Sequence, residues 1–521
     1  MISRQALRAF EERPRDSYAW MKKLPREALL DEIKTLKVKP TFKGHERWTH
    51  QLVCFLAGLY VPNFLHMLDM GLGKTAIVLD LLTQMLREGR VRRGLVFVPR
   101  LINFESWEND VAAHSDLGIN IAEGSIEEKY ERLINPKDCE LTVIDYHGLI
   151  LACSSPAIVK GKKKLVRDDR KLTAVRKQYD FFNLDEIHKV GNKDALTFNV
   201  LKYLTQQAAA RYGTTGTPFG RDPIRLWTQF FLIDRGYALG EHLGTYRGLF
   251  YSESKNFFGG SEYAFRKSES RTLYRFMQHC SIRYSDHEVP EVELPQRVDR
   301  IVKCRMTDEQ RDHYMNALNG LIQVQGNKFE AEAVFVRLRQ ITSGYLTWND
   351  TDGESRTVFF EENYKLDAID RIIEELSCDG KIIISTEYTT TGRMIMKHLE
   401  KHRVQAVWLY GGTKDPRACV KQFKTDPKTQ VLVMNSEAGG TGTDGLQSVA
   451  HVLVFFEIPP NPTTKLQTLK RVYRPGQERR TYIIDLVSQG SVDHRLLEFN
   501  AEGMDLRQTI VNGNFTRETF L

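Results

Sequence analysis

Paired cysteine is missing from this sequence. Its seven cysteines (Cys54, Cys139, Cys153, Cys280, Cys304, Cys378 and Cys419) are scattered through 521 residues, and no two form a C-x-x-C. That argues against a disulfide framework or a zinc site and fits a reducing compartment. Long apolar runs are absent as well: none reaches the ~18 residues of a membrane span. The N-terminus, MISRQALRAFEERPRDSYAW, mixes acids and bases, unlike a secretory signal. Charge of one sign is scarce. With 74 Lys+Arg against 67 Asp+Glu the formal charge is +7, which permits an anionic partner without demanding one. There is no short-period repeat, and the lysine cluster at 161–164 is the one biased segment. At 41% hydrophobic and 27% charged residues, the composition is that of a globular chain long enough for two or more cores. These absences predict an intracellular, soluble protein with no membrane contact, cytoplasmic in a microbe or in the host cytoplasm if viral.

What is present is an alternation. Residues 1–45 read as helical, with no glycine before Gly44. Short apolar runs then recur at 64–68 (FLHML), 94–99, 141–146 and 179–186, separated by helix-like stretches. From about 230 to 290 the chain turns aromatic, polar and rich in Gly and Ser, which reads as a partly helical insertion or linker. The alternation resumes at 381–386 (KIIIST), 404–410, 431–436, 451–456 and 481–487. Strands alternating with helices predict α/β architecture with two successive parallel sheets.

One stretch carries chemistry. In MLDMGLGKTAIVLDLL (67–82) an oily strand hands over to a helix whose apolar positions Ile77, Val78, Leu81 and Leu82 share one face. Between them lies Gly71-Leu72-Gly73-Lys74-Thr75. Such a turn points backbone N–H groups at a polyanion beside the positive end of a helix. Lys74 would reach the β- and γ-phosphates of a triphosphate, and Thr75 would offer its hydroxyl to Mg²⁺. The general G-x-x-x-x-G-K-[ST] spacing is not met, because Leu68 stands where the first glycine should be. A second stretch, FFNLDEIHKV, places Asp185 and Glu186 after an apolar run. Asp185 could hold Mg²⁺, and Glu186 could orient the attacking water.

With both stretches in view, the chain resembles superfamily-two nucleic-acid motors, and among them the Swi/Snf-type ATPases, from about residue 46 to about 493. ERWTHQLVCFLAGLY resembles the family's segment whose glutamine reads adenine, which makes Gln51 the candidate. DMGLGKT, LVFVPRLINFESWENDV, VIDYHGL, DEIHKVGNKDA and TTGTPFGRDPIRLW resemble the successive motifs of a first lobe. LPQRVDRIVKCRMTDEQRDHY, LRQITSGYL, EAGGTGTDGLQSVAHVLVF and LQTLKRVYRPGQ resemble those of a second. Gln467, Arg471 and Arg474 fall at spacings of four and three, which predicts one helix face presenting all three. Either arginine would act as an arginine finger on the nucleotide held by Lys74. Asp444 and Glu437 depart from the family's usual Asn and Arg or Lys, and Thr386-Glu387-Tyr388 from a common Ser-Gln-Phe.

The resemblance implies two RecA-like lobes in tandem. They are expected as a helical N-terminal extension (1–45), an ATP-binding lobe (46–230), a helical insertion or linker that includes the entry to lobe two (231–360), a second lobe (361–493) and a tail (494–521). It implies ATP and Mg²⁺ as cofactors, duplex or branched DNA as partner, room for protein partners and no structural metal. The activity it implies is ATP-driven tracking along duplex DNA. The alternatives are a strand-separating DNA or RNA helicase, and a non-translocating ATP-controlled clamp or motor subunit of a larger assembly. Since the last motif ends at Gln477, a bare motor core suited to repair, fork remodelling or protein stripping is expected. Backbone contacts to nucleic acid are expected from Arg100, Thr215 and Thr441 and from the strand ends near Tyr146 and Ser385. Lys162, Lys163 and Lys164 read either as a further DNA contact on an exposed loop or hairpin, or as a solvated connector. Phe257-Phe258 reads as a mobile aromatic element or as core. His188 reads as a coupler of the acidic pair to Thr215–Thr217, or as a cap.

Overall fold

The apolar runs form parallel strands. The structure, a computed structural model, describes residues 4–99, 103–159, 161–216, 223–255, 261–323, 328–349, 354–376, 380–436 and 445–503. The chain divides into two units, Met1–Val292 and Glu293–Leu521.

In the first unit the strands run β1 (Asn63–Leu68), β2 (Gly94–Val98), β3 (Ile119–Ile121) and β4 (Leu141–Asp145). The hairpin β5 (Ser154–Val159) and β6 (Lys162–Arg167) follows, then β7 (Phe181–Asp185) and β8 (Ala210–Thr215). A second hairpin, β9 (Tyr251–Lys255) and β10 (Ser261–Phe265), precedes β11 (Ser281–Tyr284). Seven of these make one parallel sheet in the order β11-β1-β8-β7-β2-β4-β3. A parallel sheet is covered on both faces, so its inner strands are apolar throughout; Leu95, Val96, Phe97 and Val98 are all fully buried. The helix Lys74–Arg87 covers part of it with Ile77, Val78, Leu81, Leu82 and Met85, each contributing about 1.5–3 kcal/mol. The same helix buries Asp80, whose two oxygens accept from Arg47 Nε and Nη2 at 2.7 and 2.9 Å.

The second unit contains β12 (Arg297–Cys304), the hairpin β13 (Tyr345–Asn349) and β14 (Ser355–Phe359), β15 (Lys381–Thr386), β16 (Ala406–Leu409), β17 (Val431–Asn435), β18 (Ala450–Phe455) and β19 (Thr481–Ser488). Six form a parallel sheet in the order β12-β19-β18-β15-β17-β16. Side chains alternate across it. Ile382, Ile384, Val431, Val433, Val452 and Val454 join one core, and Ile383, Leu432, Met434, Leu453 and Phe455 join another on the opposite face. A third core joins the helices Asp308–Gln323 and Lys328–Ser343 to Val487, Val492 and Leu496.

The α/β reading thus stands, with two successive parallel sheets of RecA-like type. Three local expectations differ. The N-terminal 45 residues hold helices at Arg4–Glu11 and Arg26–Thr35 and a short 3-10 turn at Ala19–Lys23, with no helix from 36 onward; Met21, Leu29 and Ile33 are buried in the first unit's core. The region read as insertion and linker supplies an edge strand to each sheet, β11 to the first and β12 to the second. Helix Pro462–Leu469 stops before the two arginines expected on its face.

Candidate active site

Three adjacent strands of the first sheet, β1, β8 and β7, end together: Met67 lies opposite Thr215, and Thr214 opposite Asp185. In open α/β sheets the carboxyl ends of strands are where ligands bind. After β1 the chain turns through Gly71 (φ 88°) and Gly73 (φ 75°), a conformation open to glycine at little cost. Gly73 is the N-cap of the helix Lys74–Arg87. The first N–H groups of that helix have no intrahelical acceptor and its dipole favours an anion. Gly73 must also lack a side chain for a second reason, since a Cβ there would collide with the Gln51 amide.

Lys74 Nζ donates to the Leu68 carbonyl at 3.1 Å and lies 3.9 Å from Glu186 Oε1. Asp185 Oδ1 accepts from Thr214 Oγ1 at 2.8 Å and from the Glu186 N–H at 3.0 Å. The Asp185 carbonyl accepts from Tyr146 Oη at 2.9 Å. Glu186 takes a left-handed backbone (φ 47°, ψ 50°), which is uncommon outside glycine and turns its carboxylate off the strand line. Glu186 Oε2 accepts from Thr215 Oγ1 at 3.3 Å and stands 3.1 Å from His188 Nδ1, which is 2.9 Å from Thr215 Oγ1. His188 therefore joins the acidic pair to Thr215.

The two carboxyls are pushed apart. Burial, then the neighbouring Glu186 charge, raises Asp185 above the usual carboxylate range. Burial would raise Glu186 as well, but Lys74 and then His188 outweigh it and hold it low. Glu186 thus ionises more readily than Asp185 and is matched to Lys74. A divalent cation at Asp185 would reverse the balance there. The donor set suits Mg²⁺ and a triphosphate: an ammonium, hydroxyl and carboxylate oxygens, and helix N–H groups around a turn closed by glycine.

Of the residues singled out from sequence, Gly71, Gly73, Lys74, Thr75, Asp185, Glu186 and Thr215 cluster at these strand ends. Gln51 joins them from beneath. Its Oε1 accepts from the Trp48 N–H at 2.9 Å, and its Nε2 faces the Leu72 carbonyl at 3.4 Å. Lys162, Lys163 and Lys164 are exposed on β6, so the basic run is a hairpin. Thr214 was not singled out; the doubled threonine before Gly216 is the one local signal for it.

In the second unit, Gln467 is on helix Pro462–Leu469, while Arg471 and Arg474 lie in the turn that follows. This corrects the single helix face. Pro475 disfavours a helical Arg474, Gly476 takes φ 87°, and Gln477 Nε2 folds the turn back by donating to Ala450 O and Val472 O at 2.9 and 3.1 Å. Arg471 is buried and Arg474 half-buried. Ser385, another expected backbone contact, is fully buried and bonded to Ser436 at 2.8 Å. Arg100, Thr441, Thr217, Phe257-Phe258, Glu437 and Asp444 lie outside the described residues.

Tandem RecA-like sheets, the first with a phosphate-type turn beside an acidic pair, define the helicase-like ATPase class. The SNF2-related domain matches residues 48–349 and the helicase conserved C-terminal domain residues 364–476. The chain belongs to the SNF2-related family of ATP-binding, helicase-type hydrolases. It is 22% identical over 87% of its length to the chromatin structure-remodeling complex subunit snf21 of Schizosaccharomyces pombe, covering 38% of that protein. It is 23% identical over 85% of its length to the DNA repair and recombination protein RAD54-like of Gallus gallus, covering 63% of it. The Sulfolobus solfataricus SWI2/SNF2 ATPase core in complex with dsDNA aligns with 92% of this chain and 96% of its own, at 20% identity and a TM-score of 0.41. This chain thus spans roughly a third to two thirds of the length of these two curated relatives. No helix among the described residues is long and apolar enough to cross a membrane.

Proposed function

We propose that this protein is a Mg²⁺-requiring, DNA-stimulated ATPase that converts ATP hydrolysis into tracking along duplex DNA, in repair, fork or protein–DNA remodelling. The observation that carries the reading is the convergence of Lys74, Asp185 and Glu186 at neighbouring strand ends. Lys74 holds the β- and γ-phosphates. Thr75 and Asp185 hold Mg²⁺, and Gln51 contacts adenine while bracing the glycine turn. Glu186, kept ionised, orients the attacking water. Arg471 and Arg474 serve as arginine fingers and Gln467 lies beside the nucleotide. His188 and Thr215 link the water-orienting carboxylate to the segment that grips DNA, so loss of the γ-phosphate is felt as a change of grip.

The relatives' names, which speak of chromatin remodeling and of DNA repair and recombination, support DNA as the partner. Lys162, Lys163 and Lys164 add a backbone contact on the β5–β6 hairpin. Arg100 and Thr441 complete the proposed nucleic-acid set. Such contacts touch phosphate, so binding is little dependent on sequence and steeply dependent on salt.

The test is the ATPase rate alone and with duplex DNA, single-stranded DNA, forked DNA and RNA, paired with triplex displacement and strand-separation assays. Stimulation by duplex DNA with triplex displacement and little unwinding is expected. Robust unwinding would instead indicate a helicase, and nucleotide-dependent binding without displacement a clamp. Glu186→Gln should lower the rate by roughly 10²–10⁴; a variant as active as the parent would remove Glu186 from its role.

A further inference from the structure

A second cluster of ionisable side chains lies in the second unit, apart from every motif used above. Helix Thr389–Lys401 carries His398 near its end, and His402 is the residue that caps it. At i and i+4 the two imidazoles lie on one side of the helix, with ring centroids 4.4 Å apart. Asp370, on helix Tyr364–Leu376, faces both. Its Oδ1 is 2.8 Å from His398 Nε2 and its Oδ2 3.7 Å from His402 Nδ1. One ligand atom from each residue lies within 4.8 Å of the other two.

We propose that Asp370, His398 and His402 form a binding site for a divalent transition-metal ion of the zinc type. Two neutral imidazoles and one carboxylate are the donor set such ions prefer, while Mg²⁺ and Ca²⁺ favour all-oxygen sites. The spacing fits. Metal bonds of about 2.0–2.1 Å at tetrahedral angles put neighbouring ligand atoms roughly 3.3 Å apart, and the two observed nitrogen–oxygen separations bracket that value. The ion would take the place of the hydrogen bond between His398 Nε2 and Asp370 Oδ1, so small side-chain shifts suffice. Access is open: the side chains of His398, Asp370 and His402 are 14, 25 and 43% exposed. Three protein ligands leave the fourth position to water. Bound there, the ion ties helix Tyr364–Leu376 to the end of helix Thr389–Lys401 and stabilises the second unit. The scattered cysteines, which argued against zinc, have no bearing on a site built from histidine and aspartate.

The test uses the full chain, stripped with chelator and titrated with ZnCl₂ alone, without nucleotide or Mg²⁺. One saturable equivalent is expected, with unfolding of the second unit raised by about 5–10 °C at a hundred-fold excess over Kd. His402→Gln, at an exposed position, should weaken uptake at least tenfold, and Asp370→Asn should do the same. Co²⁺ should bind competitively with zinc and give visible bands free of thiolate charge transfer. No saturable uptake, uptake unchanged in both variants, or a thiolate band that moves the ion to a cysteine would each overturn the proposal. None of these readouts depends on ATP hydrolysis, so the result is independent of the function proposed above.

Discussion

The two units share an architecture and hold their charged groups differently. In the first, the candidate residues stand on the ends of three hydrogen-bonded strands, and their bonds run from one strand end to the next: Thr214 to Asp185, and Thr215 to Glu186. In the second, the candidate arginines sit in a turn pinned by Gln477. The cores differ too. Buried residues of the first unit form one continuous cluster that includes the N-terminal segment, whereas the second sheet separates two cores and a third forms among helices. Its polar residues are correspondingly buried: Glu457 accepts from Ser343, Thr391 and the Glu387 and Tyr388 N–H groups. Strand ends are rigid because each is braced on both sides; a turn is held by whatever side chain folds back on it.

Four experiments would break or sharpen that contrast. The largest effect is expected at the turn. Arg474→Ala should lower DNA-stimulated ATP hydrolysis by roughly 10³–10⁵ while leaving the melting of the first unit unchanged; a rate within tenfold of the parent would remove the arginine-finger role.

Next come the buried charges, one in each unit. Arg47→Ala strands Asp80, whose ordinary pKa burial already pushes up to about 6 against the pull of Arg47. Glu457→Ala strands four donors. Each should destabilise its own unit by about 3–5 kcal/mol, and hydrogen exchange should localise the loss. Equal loss in both units from either change would mean that they unfold as one.

Acid should separate the units more gently. His66, fully buried beside the Cys54 carbonyl, has its pKa lowered by burial from the usual 6.5 to about 4. Its folded form binds a proton less readily than its unfolded form. Stability is therefore fully present above pH 6.5 and falls as pH drops toward 4, by about 3 kcal/mol in total. His45, His50 and His114 shift in the same direction through burial. The first unit should show this fall in chemical denaturation, and His66→Phe should flatten it; an unaltered profile would point to the other histidines.

The smallest effect is expected on the exposed hairpin. Replacing Lys162, Lys163 and Lys164 with alanine should weaken duplex binding and reduce the log–log salt slope by roughly 0.9 for each phosphate no longer neutralised. ATP hydrolysis without DNA should not change. An unaltered slope would leave the lysines as a solvated connector.

Much of this was legible in the chain. The strands β1, β2, β4, β7 and β15 to β19 follow continuous apolar runs, because interior strands of a parallel sheet meet helices on both faces. Those missed are of another kind. β3 is three residues long, and β8 (ARYGTT) is polar in composition although every residue is buried. β12 is an edge strand with most side chains exposed. Such segments become strands because a neighbour offers its hydrogen bonds, which no local pattern announces. The helix at 462–469 failed in the opposite way. Its spacing fits a longer helix, but the helix stops at Leu469 and the turn beyond it is held by Gln477.

By itself the sequence determined which groups this protein possesses and on what kind of element each sits. Glycines at 71 and 73, a lysine at a helix start and an acidic pair at a strand end follow from local sterics and periodicity. Only the tertiary structure decided which of them meet. Strand order sets β7 and β8 beside β1, and that order comes from long-range pairing. The same applies to Gln51 under Gly73, Arg47 on Asp80, and Asp370 between two histidines. Each joins residues distant along the chain, through packing that sequence periodicity does not encode.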